Sequence, residues 1–280
     1  MSIQSQKALS DELTKTLERN PDLGEFIVQD MTHTPGPLWQ GLPISVVGKH
    51  VLRRKPELAD LLFEGLGDRL RKKDLDLILS GQSDVITPGM IKAMVKVAGH
   101  HDNNFLGMAE SLLGFILLEG ERIRDAGLLD ALLDEVDVSS MDCTGLRGTG
   151  NAHYLAAVQL VISGSTPDLA AFIFQRLVQA GCDLNAPCRH EIRKGQVYDF
   201  DNALGVACAY LDLEIYSPKP VIDGLLAAGA EPGSLARSCL PSAKYLRRHP
   251  VVRARRMNKA LGWIAARRGA KRSERPWRGM

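Results

Sequence analysis

Aromatic residues are scarce in this sequence of 280 residues: Phe, Trp and Tyr together make up 5%, whereas hydrophobic residues make up 45%. A core formed from this composition consists mainly of Leu, Ala, Val and Ile. Such side chains suit close helix–helix packing better than a β-sandwich, whose strands favour aromatic and β-branched residues. The hydrophobic share is large enough for a complete core and argues against wholesale disorder. Sustained period-two alternation is also lacking, so we expect an all-α fold with any strand short and peripheral.

Long apolar segments are missing as well. The longest compact apolar run covers residues 112–118, between Glu110 and Glu119, and a membrane-spanning helix needs about 20 apolar residues. Residues 1–20 are polar and mixed in charge and do not show the apolar stretch of a secretory signal. We therefore predict a cytoplasmic protein without a membrane span.

Cysteine pairs with CxxC spacing are absent, and the number of cysteines is odd. This pattern predicts reduced, mostly buried thiols rather than a disulfide framework. The cysteines are Cys143, Cys182, Cys188, Cys208 and Cys239.

Two groups of residues have the side chains of a metal site but not its spacing. His100, His101 and Asp102 are consecutive, and adjacent histidines on a helix do not share a face. Cys182, Cys188 and His190 match no standard zinc spacing. We therefore expect no metal and no cofactor.

Sequence signals of catalysis are weak. Residues 110–137 are rich in Asp and Glu, which favours a solvated helix surface or a docking surface for a basic partner over paired catalytic carboxylates. The glycine-rich segment 145–150 lacks the lysine of a phosphate-binding loop and is interpreted as a turn. No GxSxG or HExxH motif is present. We predict that the chain is not an enzyme, with a hidden active site between the N-terminal region and the repeats as an alternative.

Helix start and stop signals recur along the chain. Thr87-Pro88 and Thr166-Pro167 each combine an N-cap with proline at the first helical position. The apolar residues that follow lie at the spacing of one helix face, and Gly99 and Gly181 come just after the predicted ends. A third helix is predicted from Pro220 to Gly229.

Three short segments resemble one another, and their first residues, 104, 151 and 202, are 47 and 51 residues apart. They read Asn-Phe-Leu-Gly-Met-Ala-Glu, Asn-Ala-His-Tyr-Leu-Ala-Ala and Asn-Ala-Leu-Gly-Val-Ala-Cys. A helix and a closing turn follow each segment, with Gly-Cys-Asp in residues 177–186 and Gly-Ala-Glu in residues 225–232. Small Ala residues let the first helix pack closely, and Gly ends the second helix in a left-handed conformation.

Residues 104–236 resemble the ankyrin repeat, which has a TPLHxAA-type start and an LLxxGADVNA-type end. The sequence departs from that pattern, because the Thr-Pro pair is absent from all three starts and the period is nearer fifty than about 33 residues. The resemblance implies an ankyrin-like helical-repeat solenoid that binds a partner protein. It permits masking of a toxin or effector, as an immunity protein does, and equally a role as a bacterial-type effector. A generic helical solenoid is the alternative.

The expected organisation has three parts. Residues 1–103 form a helical N-terminal cap or diverged repeats, residues 104–243 form the repeats, and residues 244–280 form a basic capping helix and tail. The repeat layout implies that aromatic and Arg side chains near the turns and in the insert 188–201 contact the partner. The predicted contact residues are Arg147, His153, Tyr154, Arg189, Tyr198 and Phe200.

The charge is unevenly distributed. Residues 244–280 contain thirteen Lys or Arg and one acid, a net charge of +12, and the remaining residues contain 22 basic and 32 acidic side chains, a net charge of −10. The alternative function is therefore binding of nucleic acid or of an acidic partner through this segment. Its candidate residues are Arg247, Arg248, Arg253, Arg255, Arg256, Arg267 and Arg268.

Overall fold

A computed structural model describes residues 3–33, 43–66, 78, 86–98, 105–144, 147–232 and 240–273. This part of the chain is mostly helical, as the composition predicts. The helices are α1 (Ile3–Arg19), α2 (Leu23–His33), α3 (Ile44–Arg54), α4 (Ala59–Leu66), α5 (Pro88–Ala98), α6 (Phe105–Ile116), α7 (Arg122–Asp125), α8 (Leu128–Leu133), α9 (Ala152–Ser163), α10 (Pro167–Gln179), α11 (Ala203–Asp212), α12 (Lys219–Ala228), α13 (Pro241–Arg248) and α14 (Pro250–Ser273).

Neighbouring helices contact each other in an ordered succession. Helix α9 contacts α6 and α11, and α11 in turn contacts α13. Helix α10 contacts α12, which contacts α14. Within each hairpin the two helices also touch, α9 against α10 and α11 against α12. In the N-terminal region α2 contacts α4, α4 contacts α5, and α5 contacts α8.

Threonine caps begin two of the helices where the sequence places them. Thr87 immediately precedes α5, and its hydroxyl accepts a hydrogen bond from the backbone N–H of Met90 at 3.2 Å. The Thr166 hydroxyl accepts from the N–H of Leu169 at 3.2 Å, with Pro167 at the first position of α10. Both satisfy a helix-start donor that has no partner inside the helix. The predicted third helix is α12, which begins one residue earlier than expected.

The two closing turns have the same backbone hydrogen bonds. The N–H of Cys182 donates to the carbonyl of Leu177 at 3.0 Å, and the N–H of Ala230 donates to the carbonyl of Leu225 at 2.9 Å. Gly229, with a φ of 120°, lies at the end of α12. This is the Schellman type of helix end, in which a residue of positive φ reverses the chain.

An asparagine begins the first helix of each pair and ties it to the closing turn of the same unit. The Asn151 carboxamide accepts from the N–H of Tyr154 at 3.2 Å and donates to the carbonyl of Asp183 at 2.6 Å. The Asn202 carboxamide accepts from the N–H of Gly205 at 3.3 Å and donates to the carbonyl of Glu231 at 3.0 Å. The two units therefore share a side-chain device as well as a sequence pattern.

The insert 188–201, for which no strand was predicted, forms a β-hairpin. Strands β2 (Cys188–Arg193) and β3 (Gln196–Phe200) pair antiparallel, and β1 (Gly148–Thr149) pairs with the other edge of β2. The resulting sheet has the order β1-β2-β3. The strands are short and lie outside the helix pairs, in line with the expectation for any strand.

Helix α14 is attached to the end of α12 through one side chain. The Arg255 guanidinium donates to the carbonyls of Leu226, Gly229 and Ala230 at 2.7, 3.2 and 2.8 Å. A cation at this position also interacts favourably with the negative end of the helix dipole. The predicted domain boundary at residue 244 falls inside α13.

Four cysteines are buried and form no disulfide with one another, namely Cys143, Cys182, Cys188 and Cys208, and Cys239 lies outside the described residues. Burial raises the pKa of Cys182 to about 11 and the pKa of Cys188 and Cys208 to about 12. Among the helices that the structure describes, none combines the length and the apolar composition needed to cross a lipid bilayer.

Candidate functional site at the β-hairpin

The β2–β3 hairpin turns one face toward the helices. In an antiparallel pair, directly opposed residues point to the same face. Cys188 pairs with Phe200 and His190 pairs with Tyr198, so these four residues share a face. Cys188 and His190 are buried, and Phe200 lies against Gly205 at the start of α11.

His190 is held between two tyrosine hydroxyls. The Tyr154 Oη lies 2.9 Å from His190 Nδ1, and the Tyr210 Oη lies 2.7 Å from His190 Nε2. His190 and Tyr154 are fully buried and Tyr210 is 6% exposed. We call these three residues the Tyr–His–Tyr chain. It joins the hairpin to α9 through Tyr154 and to α11 through Tyr210.

Burial keeps the Tyr–His–Tyr chain uncharged at neutral pH. Burial, together with the smaller effect of the positive charge of Arg147, lowers the pKa of His190 to about 4. Burial also raises the pKa of Tyr154 and Tyr210 above the usual tyrosine value. A neutral imidazole has one donor and one acceptor nitrogen. One tyrosine therefore donates to the ring while the other accepts from it.

His153 and Tyr154 lie in the interior, which corrects the prediction that they contact a partner. Both are fully buried. The ring of His153 stacks on Phe174, with 6.1 Å between ring centroids, and its Nε2 lies 3.4 Å from the Phe174 carbonyl. Burial lowers the pKa of His153 to about 4. Both side chains hold the first helix in place instead of facing solvent.

The glycine-rich segment lies very close to both β2 and the Tyr154 side chain. A Cβ at Gly148 would lie 2.1 Å from the Arg189 carbonyl oxygen, and a Cβ at Gly150 would lie 2.6 Å from the Tyr154 side chain. Real Cβ atoms do not approach other atoms so closely. These glycines therefore allow β1 to lie between β2 and the Tyr154 ring, while residues 145 and 146 of the same segment lie outside the described residues.

The other predicted contact residues lie at or near the surface of the hairpin. Arg189 and Tyr198 are exposed, and Arg189 forms a salt bridge with Asp199 at 2.9 Å. Phe200 is half-buried beneath the sheet and lies 6.4 Å from the Tyr198 ring. Arg147 is exposed just before β1, and its carbonyl accepts from the N–H of Glu191 at 2.8 Å. Arg189 and Val197 lie on the outward face of the hairpin, whereas Tyr198 lies on the same face as His190 but is 48% exposed. We call Arg147, Arg189, Val197 and Tyr198 the hairpin surface.

Near the sheet, the exposed hydrophobic residues Val197 and Tyr216 were not among the predicted contacts. Val197 is 52% exposed on β3, and Tyr216 is 58% exposed in the loop between α11 and α12. The Tyr216 ring packs edge-on against Tyr210, with 5.9 Å between centroids. Tyr216 thus connects the buried Tyr–His–Tyr chain to solvent. No alternation of exposed and buried residues along 196–200 distinguishes Val197, because residues 196–199 are all exposed.

Three residues with positive φ lie near the Tyr–His–Tyr chain. Arg147, Glu214 and Tyr216 have φ values of 70°, 55° and 60°. Positive φ is uncommon for residues other than glycine and persists where the surroundings impose it. The charge of Arg147 acts on His190 and Tyr210, while Tyr216 contacts Tyr210 directly.

The basic segment divides into structural and exposed cations. Arg255 caps α12, whereas Arg248, Arg253 and Arg256 are exposed and Arg247 is half-buried. Arg267 and Arg268 belong to α14, but their side chains lie outside the described part. The apolar side chains of Met257 and Leu261 are 63% and 57% exposed, so this stretch of α14 stands away from the body.

The candidate metal ligands do not come together in the described part of the chain. No group of three His, Cys, Asp or Glu side chains there has the arrangement of a metal site. Cys182 donates to the carbonyl of Val138 at 3.2 Å, and His190 is occupied by tyrosines. His100, His101 and Asp102 lie outside the described residues.

The acidic stretch 110–137 is not uniformly solvated. Glu119 is buried and pairs with Arg122, whose guanidinium also donates to the Ile86 carbonyl at 3.0 Å. Asp130 of α8 forms a 2.6 Å salt bridge with Arg176 of α10. Some of these carboxylates therefore join neighbouring helices.

The arrangement defines a helical protein with a partly exposed hairpin that is hydrogen-bonded to two helices through His190. Comparison with protein-family models, with curated proteins and with solved structures finds no match.

Proposed function

We propose that this chain is a binding protein that recognises a partner protein through the hairpin surface, on an ankyrin-like helical solenoid. The succession of contacts from α6 through α9 and α11 to α13, beside that from α10 through α12 to α14, supports the solenoid. The equivalent roles of Asn151 and Asn202 support a repeat. Masking of a toxin and action as an effector are two forms that this binding role can take.

The observation that carries the proposal is the attachment of an exposed hairpin to a buried anchor. Tyr198 is 48% exposed, while the opposed residue His190 is fully buried between two hydroxyls. A rigid surface loses little conformational entropy on binding. Exposed Tyr and Arg side chains are also the residue types that most often dominate interface energies. The hairpin surface therefore has the chemistry and the rigidity of a recognition site.

A structural role for the buried titratable groups favours binding over catalysis. The His190 ring nitrogens already have partners, and its ring has no exposed surface. A general base must come within hydrogen-bond reach of the proton that it abstracts. His190 serves instead to fix the hairpin.

Site-specific photo-crosslinking tests the proposal. A photoreactive phenylalanine derivative is placed at Tyr198, or at Leu9 of α1 as an exposed control, and the full chain is irradiated in lysate from cells that produce it. We expect discrete crosslinked proteins from position 198 that are absent from position 9. The double variant Arg189→Ala and Tyr198→Ala should bind the identified partner with about tenfold to a hundredfold lower affinity. Identical products at both positions, or unchanged affinity, would exclude the hairpin surface.

The basic segment supports a second candidate, nucleic-acid binding, because Arg253 and Arg256 are exposed on a part of α14 that stands away from the body. Neutralised phosphates release counterions, so this binding should weaken steeply with salt and disappear without residues 250–280. Binding that is insensitive to salt would argue against it.

A further inference from the structure

A groove lies between the loop that follows α11, the start of α12 and helix α13. Its volume is about 920 Å³, and its walls include Leu211, Tyr216, Pro218 and Pro241. This volume lies within the range of about 300–1,000 Å³ that is usual for ligand pockets. The groove is distinct from the hairpin surface, although Tyr216 lines the groove and also contacts Tyr210 of the Tyr–His–Tyr chain.

Three cationic side chains that line the groove are not paired with a carboxylate in the described part of the chain. Lys219, Lys244 and Arg248 are exposed, and none of them forms an ion pair with another described residue. Lys219 lies at the start of α12, whereas Lys244 and Arg248 lie one helical turn apart on α13. Residues four apart lie on the same helix face. The positive charges therefore come from two helices.

One of the two carboxylates that line the groove has hydrogen-bond partners on α13 and directly after it. Asp223 accepts a hydrogen bond from the Tyr245 hydroxyl, and His249 Nε2 lies 3.3 Å from the same Asp223 oxygen. Glu214 is the other lining carboxylate. The groove thus combines an excess of unpaired positive charge with an apolar wall.

We propose that this groove binds an extended acidic segment of a partner protein. The carboxylates of that segment would pair with Lys219, Lys244 and Arg248. One of its apolar side chains would pack against Tyr216 and Leu211. The inference deepens the proposed function, and it rests on that function because it names the chemistry of a second contact with a partner. Separate side-chain carboxylates can pair with individual cations, and Arg binds a carboxylate through two parallel hydrogen bonds. A peptide can place an uncharged residue beside Glu214 and Asp223, whereas a nucleic-acid strand carries a phosphate charge at every nucleotide and would be repelled there.

A random-sequence peptide library displayed on phage tests the proposal with the full chain as the target. We expect selection to enrich sequences rich in Asp and Glu around an aliphatic residue. The triple variant K219E, K244E and R248E should no longer bind the selected sequences. Each single variant should bind a selected synthetic peptide with about tenfold lower affinity. The control variant K15E, R19E and R53E changes the net charge equally at exposed positions on α1 and α3, and it should bind as the natural chain does.

The outcomes separate this inference from the hairpin proposal. Enrichment of neutral or basic peptides, no enrichment, or equal loss with the K15E, R19E and R53E control would overturn the groove. Acidic peptides that are lost with Tyr198→Ala but kept by the groove variant would overturn the groove and support the hairpin surface. Acidic peptides that depend on the groove alone would support the groove even where crosslinking at Tyr198 yields no partner. A labelled oligodeoxythymidine that binds more tightly than the selected peptides, and is lost in the groove variant, would replace the acidic segment with nucleic acid.

Discussion

Lowering the pH from about 7 to about 4 should destabilise the protein through His190. Its pKa is about 4 in the folded chain and about 6.5 in an unfolded one. As the pH falls through this interval, the His190 ring binds a proton in the unfolded chain but stays unprotonated in the folded chain. The free energy of unfolding therefore decreases between these values, and the contribution of His190 is constant below pH 4 and above pH 6.5. At about 1.4 kcal/mol per pKa unit, the total loss from this residue is about 3 kcal/mol.

Urea unfolding followed by circular dichroism across this pH range measures the effect. The comparison is with His190→Gln, because a carboxamide also donates and accepts a hydrogen bond but does not titrate. Carboxylates and His153 contribute equally to both curves, so the difference in pH dependence belongs to His190. We expect the variant to lose about 3 kcal/mol less stability than the natural chain between about pH 7 and pH 4.

Parallel pH curves for the two proteins would refute the reasoning. NMR titration of the His190 ring in the natural chain provides a second measurement that does not depend on the stability of the variant. A ring that titrates near its ordinary value of about 6.5 would show that the Tyr–His–Tyr chain does not exclude the proton.

Three further predictions follow from contacts described above. Gly150→Ala should lower the free energy of unfolding in urea by about 1–3 kcal/mol through overpacking against Tyr154, whereas Gly114→Ala in α6, where a Cβ meets nothing within 4 Å, should not; equal effects would contradict the close approach. Asn202→Ala should cost about 1–2 kcal/mol in the same assay, since it removes a cap and a bond to the Glu231 carbonyl, and an unchanged midpoint would contradict that role. Cys208 should react with a thiol reagent only on unfolding, because burial raises its pKa to about 12; rapid reaction of the folded chain at this residue would contradict its burial.

Local signals were enough to locate several helices. Thr87, Pro88, Thr166 and Pro167 act within a few residues of themselves, because a cap and a fixed proline φ need only the adjacent backbone. The sequence therefore predicted the starts of α5 and α10. The end of α12 was equally local, since Gly229 reverses the chain wherever a Schellman turn forms.

The β-hairpin was predicted only as an insert, although its sequence carried a signal. Before Gly195, which has a φ of 79°, only residues 188–191 alternate between buried and more exposed side chains, and after it Val197 and Tyr198 are consecutive hydrophobic residues. The alternation is faint because both faces contain charged or polar side chains. Its inward face became apparent only from the residues that cover it, and those come from α9 and α11, far away in the sequence.

The contact residues were predicted unevenly for a similar reason. In a repeat, the start of the first helix is expected near the binding surface, which is why His153 and Tyr154 were chosen. In this chain the sheet covers that position, and the aromatic residues exposed near the sheet in the described part of the chain are Tyr198 and Tyr216. Burial is decided by distant segments, and composition or spacing around one residue does not report it.

Asn185 joins the two repeat units in a way that bears on how the protein melts. It lies in the closing turn of one unit, and its carboxamide oxygen accepts from both the Glu231 N–H and the Asn202 side chain of the next, at 3.0 and 3.3 Å. Fraying of either turn removes hydrogen-bond partners from the other turn. Heat or a pulling force should therefore open these two units in a single concerted event, not one after the other.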